Sequence, residues 1–422
     1  MRRAALVAIV GVALALRLLN AVFLPLQGDE LVVSDMRGYD RAALALWQRQ
    51  PLAVHTVERE IFHPLGSDTY HPPGYYYFLA LTYALFGHSY LAVRVIQALA
   101  GAALVLLVYV VARNTFDESA ALIAALIVAT YPPLIFYGGV LLTENLSTLL
   151  LAGATASLIA SGRQDRTRWR QVLAAGGLLG LAGLTRSVLL LALPIGATWL
   201  AFSPSPPQRD ARVRQAIAFC VAAVLVIAPI TWRNYEIHDE LVPISTNGGI
   251  NFFLGHGGSP GWKNEIRHIP PDHDGTEPLI GISPLTATEE EDYFYQLGWT
   301  YLVNHPLQTL LDLPARLRTM YWDSDYWPAT DAQASVMRRV DRVLWQLVLL
   351  PLLVVGVWVT CRVNRNATLL FAIALSSIAI PTVFWAQTRF RVPFIPLFVI
   401  LAVGSARQLI IRARTSPAAA EA

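Results

Sequence analysis

Charge is what this sequence has least of. Asp, Glu, Lys and Arg make up 14% of its 422 residues and hydrophobic residues 55%, whereas soluble domains carry about a quarter charged residues. That balance excludes an ordinary soluble domain and defines a polytopic membrane protein. Cysteine is scarce as well. Cys220 lies inside an apolar run and Cys361 at the end of one, which supplies neither a disulfide framework nor metal-ligand spacing, so redox chemistry is not expected. The net charge is only +3. Its basic residues stand in short clusters between apolar runs, which suits topology signals and argues against nucleic-acid binding. No H-x-x-x-H and no paired-carboxylate pattern for a protein-only metal site occurs. No internal repeat is visible, and no low-complexity tract beyond the Ala-rich 418–422.

Long apolar runs are what the chain has in abundance. A bilayer-spanning helix needs about 20 mostly apolar residues, because lipid cannot satisfy an open backbone. Runs at 4–25, 91–112, 118–138, 145–161, 171–185, 187–202, 214–231, 343–361, 367–385 and 393–410 meet or approach that length. They predict about ten spans. Met1-Arg2-Arg3 before the first run is signal-peptide-like, but no clear small-x-small cleavage site precedes Gly28, so the run reads as a retained first span. Basic residues in short loops prefer the cytoplasm. Arg2/Arg3, Arg113, the cluster Arg163 to Arg170, Arg209 to Arg214, Arg362/Arg365 and Arg407 to Arg414 fall on one side if 171–202 crosses twice, as two short helices turning near Thr185-Arg186. Both termini are then expected in the cytoplasm.

Two long segments, 26–90 and 232–342, fall on the opposite side. The first is too apolar for a free loop and predicts helices lying in the interface. One runs from Met36 to Gln48 with Asp35 as its N-cap, and another starts at Pro72-Pro73 and ends at Gly87. The second segment predicts a turn at Asn247-Gly248-Gly249 and an acidic helix start at Thr288 to Glu291, and reads as a small outer subdomain. The expected organisation is therefore an N-terminal transmembrane module (1–231) that includes the first outer loop 26–90, the outer subdomain (232–342), C-terminal transmembrane helices (343–412) and a cytoplasmic tail (413–422).

Ionisable residues at the edge of spans are costly and flag function. Asp29, Glu30, Asp35 and Asp40 cluster outside the first span, and Glu144 stands at the outer end of another. A bland account makes Asp35 an N-cap and Glu144 a solvated acid complementing a helix dipole. Arg186, Arg389 and Arg391 break the positive-inside pattern. A bound phosphate explains them, because guanidinium presents a matching fork of donors; binding to lipid headgroups is the bland account. Arg338, Arg339 and Arg342 end a long outer segment and are assigned to the membrane surface. The stretch HPPGYYYF brings His71 and Tyr75 to the same face, although interfacial tyrosines are commonly belt residues.

In their order along the chain, several stretches resemble the polytopic C-type glycosyltransferases, in particular the protein-mannosyltransferase-like family 39 group. They are VSDMRGYDRAALAL, HPPGYYYFLALTYALFGHSYLAVRVIQALAG, AALIVATYPPLIFYGGVLLTENL, GLTRS, PITWRNYEIHDELVPISTNGGINFFLGHGGSPG and RFRVPFIPLFVILA. The resemblance implies an all-α polytopic fold with about ten transmembrane helices, interfacial helices in the first outer loop and a small outer subdomain. It also implies transfer of a sugar from a polyprenyl-phosphate donor to a hydroxyl acceptor. Asp35, four residues before Tyr39, matches the family's presumed base, while Asp29-Glu30 imitates the Asp-Glu pair of some relatives. Glu144 matches an acid at the outer end of a middle span in the family, which would orient the acceptor or assist the base as a second catalytic residue. Arg186 with Arg389 or Arg391 would hold the donor phosphate, and Tyr39, His71, Tyr75, Arg233, Asn234 and Asn247 would line the substrate. No cofactor is required by this reading, although a divalent cation held by Asp35 and the substrate phosphate is left open. The expected partners are the lipid-linked sugar, an acceptor that is a glycan, lipid or protein, and the bilayer. The expected place is the plasma (inner) membrane with the site on the outer face. The competing classes are a transporter or flippase, and a scaffold subunit without chemistry. Charges at one membrane edge and the missing repeat count against a transporter.

Overall fold

The computed structural model describes residues 2–23, 35–53, 60–162, 169–202, 209–256, 286–354 except 325, 327 and 330, and 364–415. Asp29, Glu30, Cys361 and most of the 163–170 arginine cluster lie outside the described residues. In chain order the helices are α1 (Arg2–Phe23), α2 (Asp35–Gln48), α3 (Gly74–Phe86), α4 (Tyr90–Thr115), α5 (Glu118–Thr130), α6 (Pro132–Phe136), α7 (Glu144–Ser161) and α8 (Trp169–Thr185). A 3-10 turn, Ser187–Leu191, leads into α9 (Ala192–Ala201), followed by α10 (Arg209–His238), α11 (Gly248–His256), α12 (Ala287–Asn304) and α13 (Pro306–Tyr321). Next come α14 (Asp331–Asp341), which continues as a π-helical stretch Arg342–Leu349, then α15 (Arg365–Ser376), α16 (Ala379–Val383), a 3-10 turn Thr388–Phe394 and α17 (Ile395–Thr415). Two-residue strands, Leu52–Ala53 and Glu60–Ile61, pair antiparallel within the first outer segment.

Five described helices are long and apolar enough to cross a membrane: Arg2–Phe23, Tyr90–Thr115, Asp210–His238, Arg365–Val383 and Thr388–Arg412. Glu118–Thr130 and Ser187–Ala201 are shorter apolar helices. The runs at 145–161 and 171–185 fall on α7 and α8, and part of 343–361 lies outside the described residues. A break at Arg186, whose backbone is extended, separates α8 from the Ser187 turn, where the two arginine-rich flanks required one.

Helices α7, α8 and α10 form the central packing and α1, α4 and α5 a second layer beside it. Lipid supplies no hydrophobic drive between helices, so close packing by small residues must hold them. The GGLLGLAG run of α8 provides this. A Cβ on Gly176 would meet the Phe219 carbonyl oxygen at 2.2 Å, and one on Gly180 the Ala223 carbonyl at 2.8 Å. Arg17, buried in this bundle, donates to the carbonyls of Ala13, Val128 and Ala129, and thereby neutralises exposed backbone dipoles rather than a ligand.

The first outer segment folds largely as its local signals predict. Helix α2 begins at Asp35 rather than one residue later, and α3 follows Pro73 and stops at Gly87, whose φ of 72° is glycine's region. Asp40, one turn into α2, is buried and accepts from the hydroxyls of Tyr83 (2.6 Å) and Tyr90 (3.0 Å), with His88 Nε2 at 3.0 Å. It is a structural pin between α2 and the α3–α4 corner, not a solvated charge. In the outer subdomain, Gly248 and Gly249 open α11 instead of forming a turn. A Cβ on Gly249 would stand 2.0 Å from the Glu291 carbonyl, so these glycines serve the close crossing of α11 and α12. Helix α12 starts at Ala287, one residue before the expected Thr288, because Thr286 and Glu289 form a reciprocal capping box.

Candidate active site

Four charged side chains from four distant parts of the chain meet at the outer end of the bundle. Asp35 opens α2, Glu144 opens α7, Arg186 occupies the extended break after α8, and Arg389 lies in the 3-10 turn before α17. Arg389 donates Nη2–H to Asp35 Oδ2 at 2.8 Å and Nε–H to Gln387 at 2.6 Å, and its Nε stands 3.9 Å from Glu144 Oε1. Arg186 donates to that same Glu144 oxygen at 3.0 Å and to Thr143 Oγ1 at 3.2 Å. Phe390 lies against both guanidinium groups, 4.8 Å from that of Arg186 and 5.4 Å from that of Arg389. The aromatic face stacks two like charges side by side, which only the two carboxylates make tolerable.

Exposure separates the two acids. The Glu144 side chain is 1% exposed and that of Asp35 35%. A solvated role for Glu144 is therefore excluded, and its second oxygen has no hydrogen-bond partner among the described residues. Of these two acids, Asp35 is the one open to a molecule arriving from outside. Crowding by protein pushes its carboxyl pKa up, but Arg389, with His71 and Arg186, outweighs this and holds it below the usual carboxylate range.

Tyr39, His71 and Tyr75 form one wall. His71 packs on Tyr39 at 4.7 Å between ring centroids, and Tyr39 meets Tyr75 edge-on at 5.2 Å. Gly38 makes room for the imidazole, since a Cβ there would lie 2.6 Å from His71 Cε1. Asp68 fixes the ring through a 2.8 Å contact with Nδ1. Burial lowers the His71 pKa, yet Asp68 and then Asp35 raise it above the ordinary imidazole value. The Tyr39 phenol is held protonated by burial and by both acids. Tyr75 donates to Gln97 at 2.9 Å, and Gln97 donates to the carbonyls of Gly138 and Val140, tying this wall to α4.

The remaining expected site residues are placed elsewhere. Arg391 is fully buried; it pairs with Asp341 and donates to the Met320 and Asp323 carbonyls and the Tyr326 hydroxyl. It braces the end of α13 and α14 and does not join Arg389. Arg233 grips the Asn234 oxygen, the Tyr76 hydroxyl and the Leu65 carbonyl, while Asn234 donates to the carbonyls of Val242 and Ile244 at 3.0 Å each. Both clamp the outer loop to the end of α10. Asn247 accepts from Ser245 and, through its carbonyl, from Asn251, so it organises the entry to α11. Sequence reasoning missed Asp68, Phe390 and Gln97. The D-x-x-H spacing of Asp68 and His71 was a readable signal; the other two carried none.

The chain is a membrane protein with the C-type glycosyltransferase fold. Over residues 70–232 it matches the model of the dolichyl-phosphate-mannose-protein mannosyltransferase family. It is similar in structure to the oligosaccharyltransferase AglB from Archaeoglobus fulgidus, solved with an inhibitory peptide and a dolichol-phosphate, with a TM-score of 0.57 at 15% identity over 98% of this chain and 51% of that one. ArnT from Cupriavidus metallidurans bound to undecaprenyl phosphate matches with a TM-score of 0.52 at 15% identity, over 96% of this chain and 62% of that one. The chain thus spans about half the length of the oligosaccharyltransferase. No curated protein sequence matches it.

Proposed function

We propose that the chain transfers a sugar from a polyprenyl-phosphate donor to a hydroxyl acceptor on the non-cytoplasmic face of the plasma membrane, with both termini in the cytoplasm. The observation that carries this reading is the Asp35–Arg389–Glu144–Arg186 cluster, where one exposed carboxylate stands beside two guanidinium groups at the end of a membrane bundle. Two matched folds solved with polyprenyl phosphates support the donor class. Residues 1–231 would form the catalytic module with the first outer loop 26–90, and 232–342 the outer subdomain. The segment 343–412 would close the bundle and 413–422 would be its tail.

In this reading the acceptor oxygen attacks the sugar C1 as the bond from C1 to the phosphate oxygen breaks. The phosphate leaves with the electron pair, and the acceptor proton passes to Asp35. Attack opposite the leaving group inverts the anomeric carbon, through an oxocarbenium-like state. Arg389 and Arg186 stabilise the charge growing on the phosphate, a contribution of about 10²–10³-fold per donor in comparable preorganised sites. The resting Asp35–Arg389 pair adds a coupling: a phosphate that engages Arg389 withdraws its charge from Asp35, lets the carboxyl pKa rise, and makes it a better base once the donor is in place. Glu144 sets the two guanidinium groups and does not touch the acceptor. Arg389, His71 and Arg186 surround Asp35 with positive charge, which does not fit a metal cation there.

Reconstitution with labelled polyprenyl-phosphate sugars tests the reading. Wild type is expected to release labelled product, which a transporter or scaffold would not do. Asp35→Asn is expected to lose about 10²–10⁴-fold of the rate while still binding donor. A folded, donor-binding Asp35→Asn protein that kept most of its rate would rule out the base assignment.

A further inference from the structure

Helix α13 exposes apolar residues where a water-facing helix would carry polar ones. Leu307, Leu310 and Leu311 are 68%, 65% and 63% exposed, and exposed Pro314 and Arg318 continue their row at the helical period. The opposite side is built into the protein: Met320 is buried, and Arg316 donates to the carbonyls of Gly255 and Thr309. Gln308 and Asp312, joined by a 2.7 Å hydrogen bond, form a polar edge between the two faces. Three leucines in one row of one helix mark a contact surface, not the scattered exposure that any protein shows.

The position of α13 decides what covers that row. It packs against α16 and the 3-10 turn Thr388–Phe394, the adjoining ends of two apolar spans, Arg365–Val383 and Thr388–Arg412. The Tyr321 hydroxyl meets Ser377 Oγ, inside the first of these spans, at 2.5 Å, and the Thr319 carbonyl accepts from Thr388 Oγ1 at 3.0 Å. Leu375, Ile378 and Val383 of that span are themselves exposed, so lipid-facing surface stands on the element that α13 packs against. At 16 residues, with Asp312, Arg316 and Arg318 among them, α13 is too short and too charged to cross a bilayer, which takes about 20 mostly apolar residues. It can lie along one. Pro314 removes the N–H that would pair with the Leu310 carbonyl, which suits the boundary where water still reaches and not the apolar centre. Half-exposed Trp322 at the C-terminal end, and Arg318, 3.5 Å from Asp323, are groups that settle at headgroup level. The chain's own segment 257–285 is a poor cover for leucines, being rich in glycine, proline and charged residues.

We infer that the exposed face of α13 lies in the lipid leaflet on the side of the Asp35–Arg389 cluster, with Leu307, Leu310 and Leu311 among the acyl chains and Arg318 reaching back to the headgroups. The carbonyls of Thr319 and Met320 in the same helix hold Thr388 and Arg391. A leaflet that seats α13 therefore also sets the height of the turn that carries Arg389, at the level where lipid phosphates lie. The inference rests on the membrane class of the chain and not on the transferase reading.

Photolabelling of the full wild-type chain in phosphatidylcholine nanodiscs tests the inference, with a phosphatidylcholine that carries a diazirine on its acyl chain and a water-soluble diazirine as counter-probe. Mass spectrometry is expected to find lipid adducts on Leu307, Leu310 and Leu311 at a yield within about threefold of that on the exposed residues of α1 and α4. The soluble probe is expected to mark Gln308 instead. Combining Leu307→Gln with Leu311→Gln should cut the lipid adducts on 306–318 at least about tenfold and leave those on α4 unchanged. Marking of the three leucines by the soluble probe alone would mean a face open to water. Marking by neither probe would mean a face covered by protein, whether the segment 257–285 or a partner. Either result overturns the inference, as would unchanged lipid adducts in the double variant. The wild-type comparison depends on no variant, and sugar transfer is not read, so a failed transferase reading leaves this result standing.

Discussion

Arg389 and Arg391 stand two residues apart in one 3-10 turn, and they show how differently a membrane protein can use the same side chain. Arg391 is sealed: its terminal nitrogens are taken by Asp341, the Tyr326 hydroxyl and backbone carbonyls, while its buried Nε–H has no partner among the described residues. Arg389 is 11% exposed and faces an acid that is 35% exposed. The first pair has no room for a third party, and the second is open on the side from which a substrate would come. Near-identical charge pairs thus divide into brace and site by access alone.

Mutation should break the pair of regions in opposite ways. The largest expected effect is from Arg391→Met, which leaves Asp341 buried and unpaired and should cost about 3–5 kcal/mol of stability; thermal melting in detergent measures it. Adding Asp341→Leu should restore part of the loss, the remainder reflecting Tyr131 and Tyr326, which donate to Asp341. Arg389→Met should instead reduce sugar transfer by about 10²–10³-fold with a melting temperature near wild type. If it were the less stable of the two single variants, the division between brace and site would collapse. Glu144→Gln is a smaller perturbation. Arg186 loses its charged partner but keeps Thr143, so transfer should fall about tenfold, chiefly through weaker donor binding, read as a raised KM.

The smallest effect is in pH. The His71 pKa is raised in the folded state by Asp68 and Asp35, so the stabilisation from this pair is complete below the unfolded value of about 6.5 and is lost as pH rises through the folded value. The melting difference between wild type and His71→Asn should shrink from mildly acidic toward alkaline pH. A difference that grew with pH would mean that His71 is held neutral.

Much of the fold was legible because its signals are local. Pro72-Pro73 and Gly87 bound α3, and the arginine-rich flanks of 171–202 demanded the break that falls at Arg186. The Asn247-Gly248-Gly249 stretch misled, because glycines that make a turn in isolation also permit the close crossing of α11 on α12. At the site, Asp35, Glu144, Arg186 and Arg389 could each be flagged as costly charge at a membrane edge. The flag could not separate them from Arg391, Arg233 or Asn234, which are as polar and as deeply placed but are engaged by structural neighbours.

By itself the sequence determined the membrane class, the main helices and the set of polar residues that needed a reason, since hydropathy, proline, glycine and capping act over a few residues. Only the tertiary structure decided which charges meet. Asp35 and Arg389 are 354 residues apart. At three residues per turn of 3-10 helix, positions i and i+2 point about 120° apart, which sends Arg389 to the acids and Arg391 toward Asp341 and the ends of α13 and α14. Partnership and access depend on how distant helices pack, and no local pattern records that.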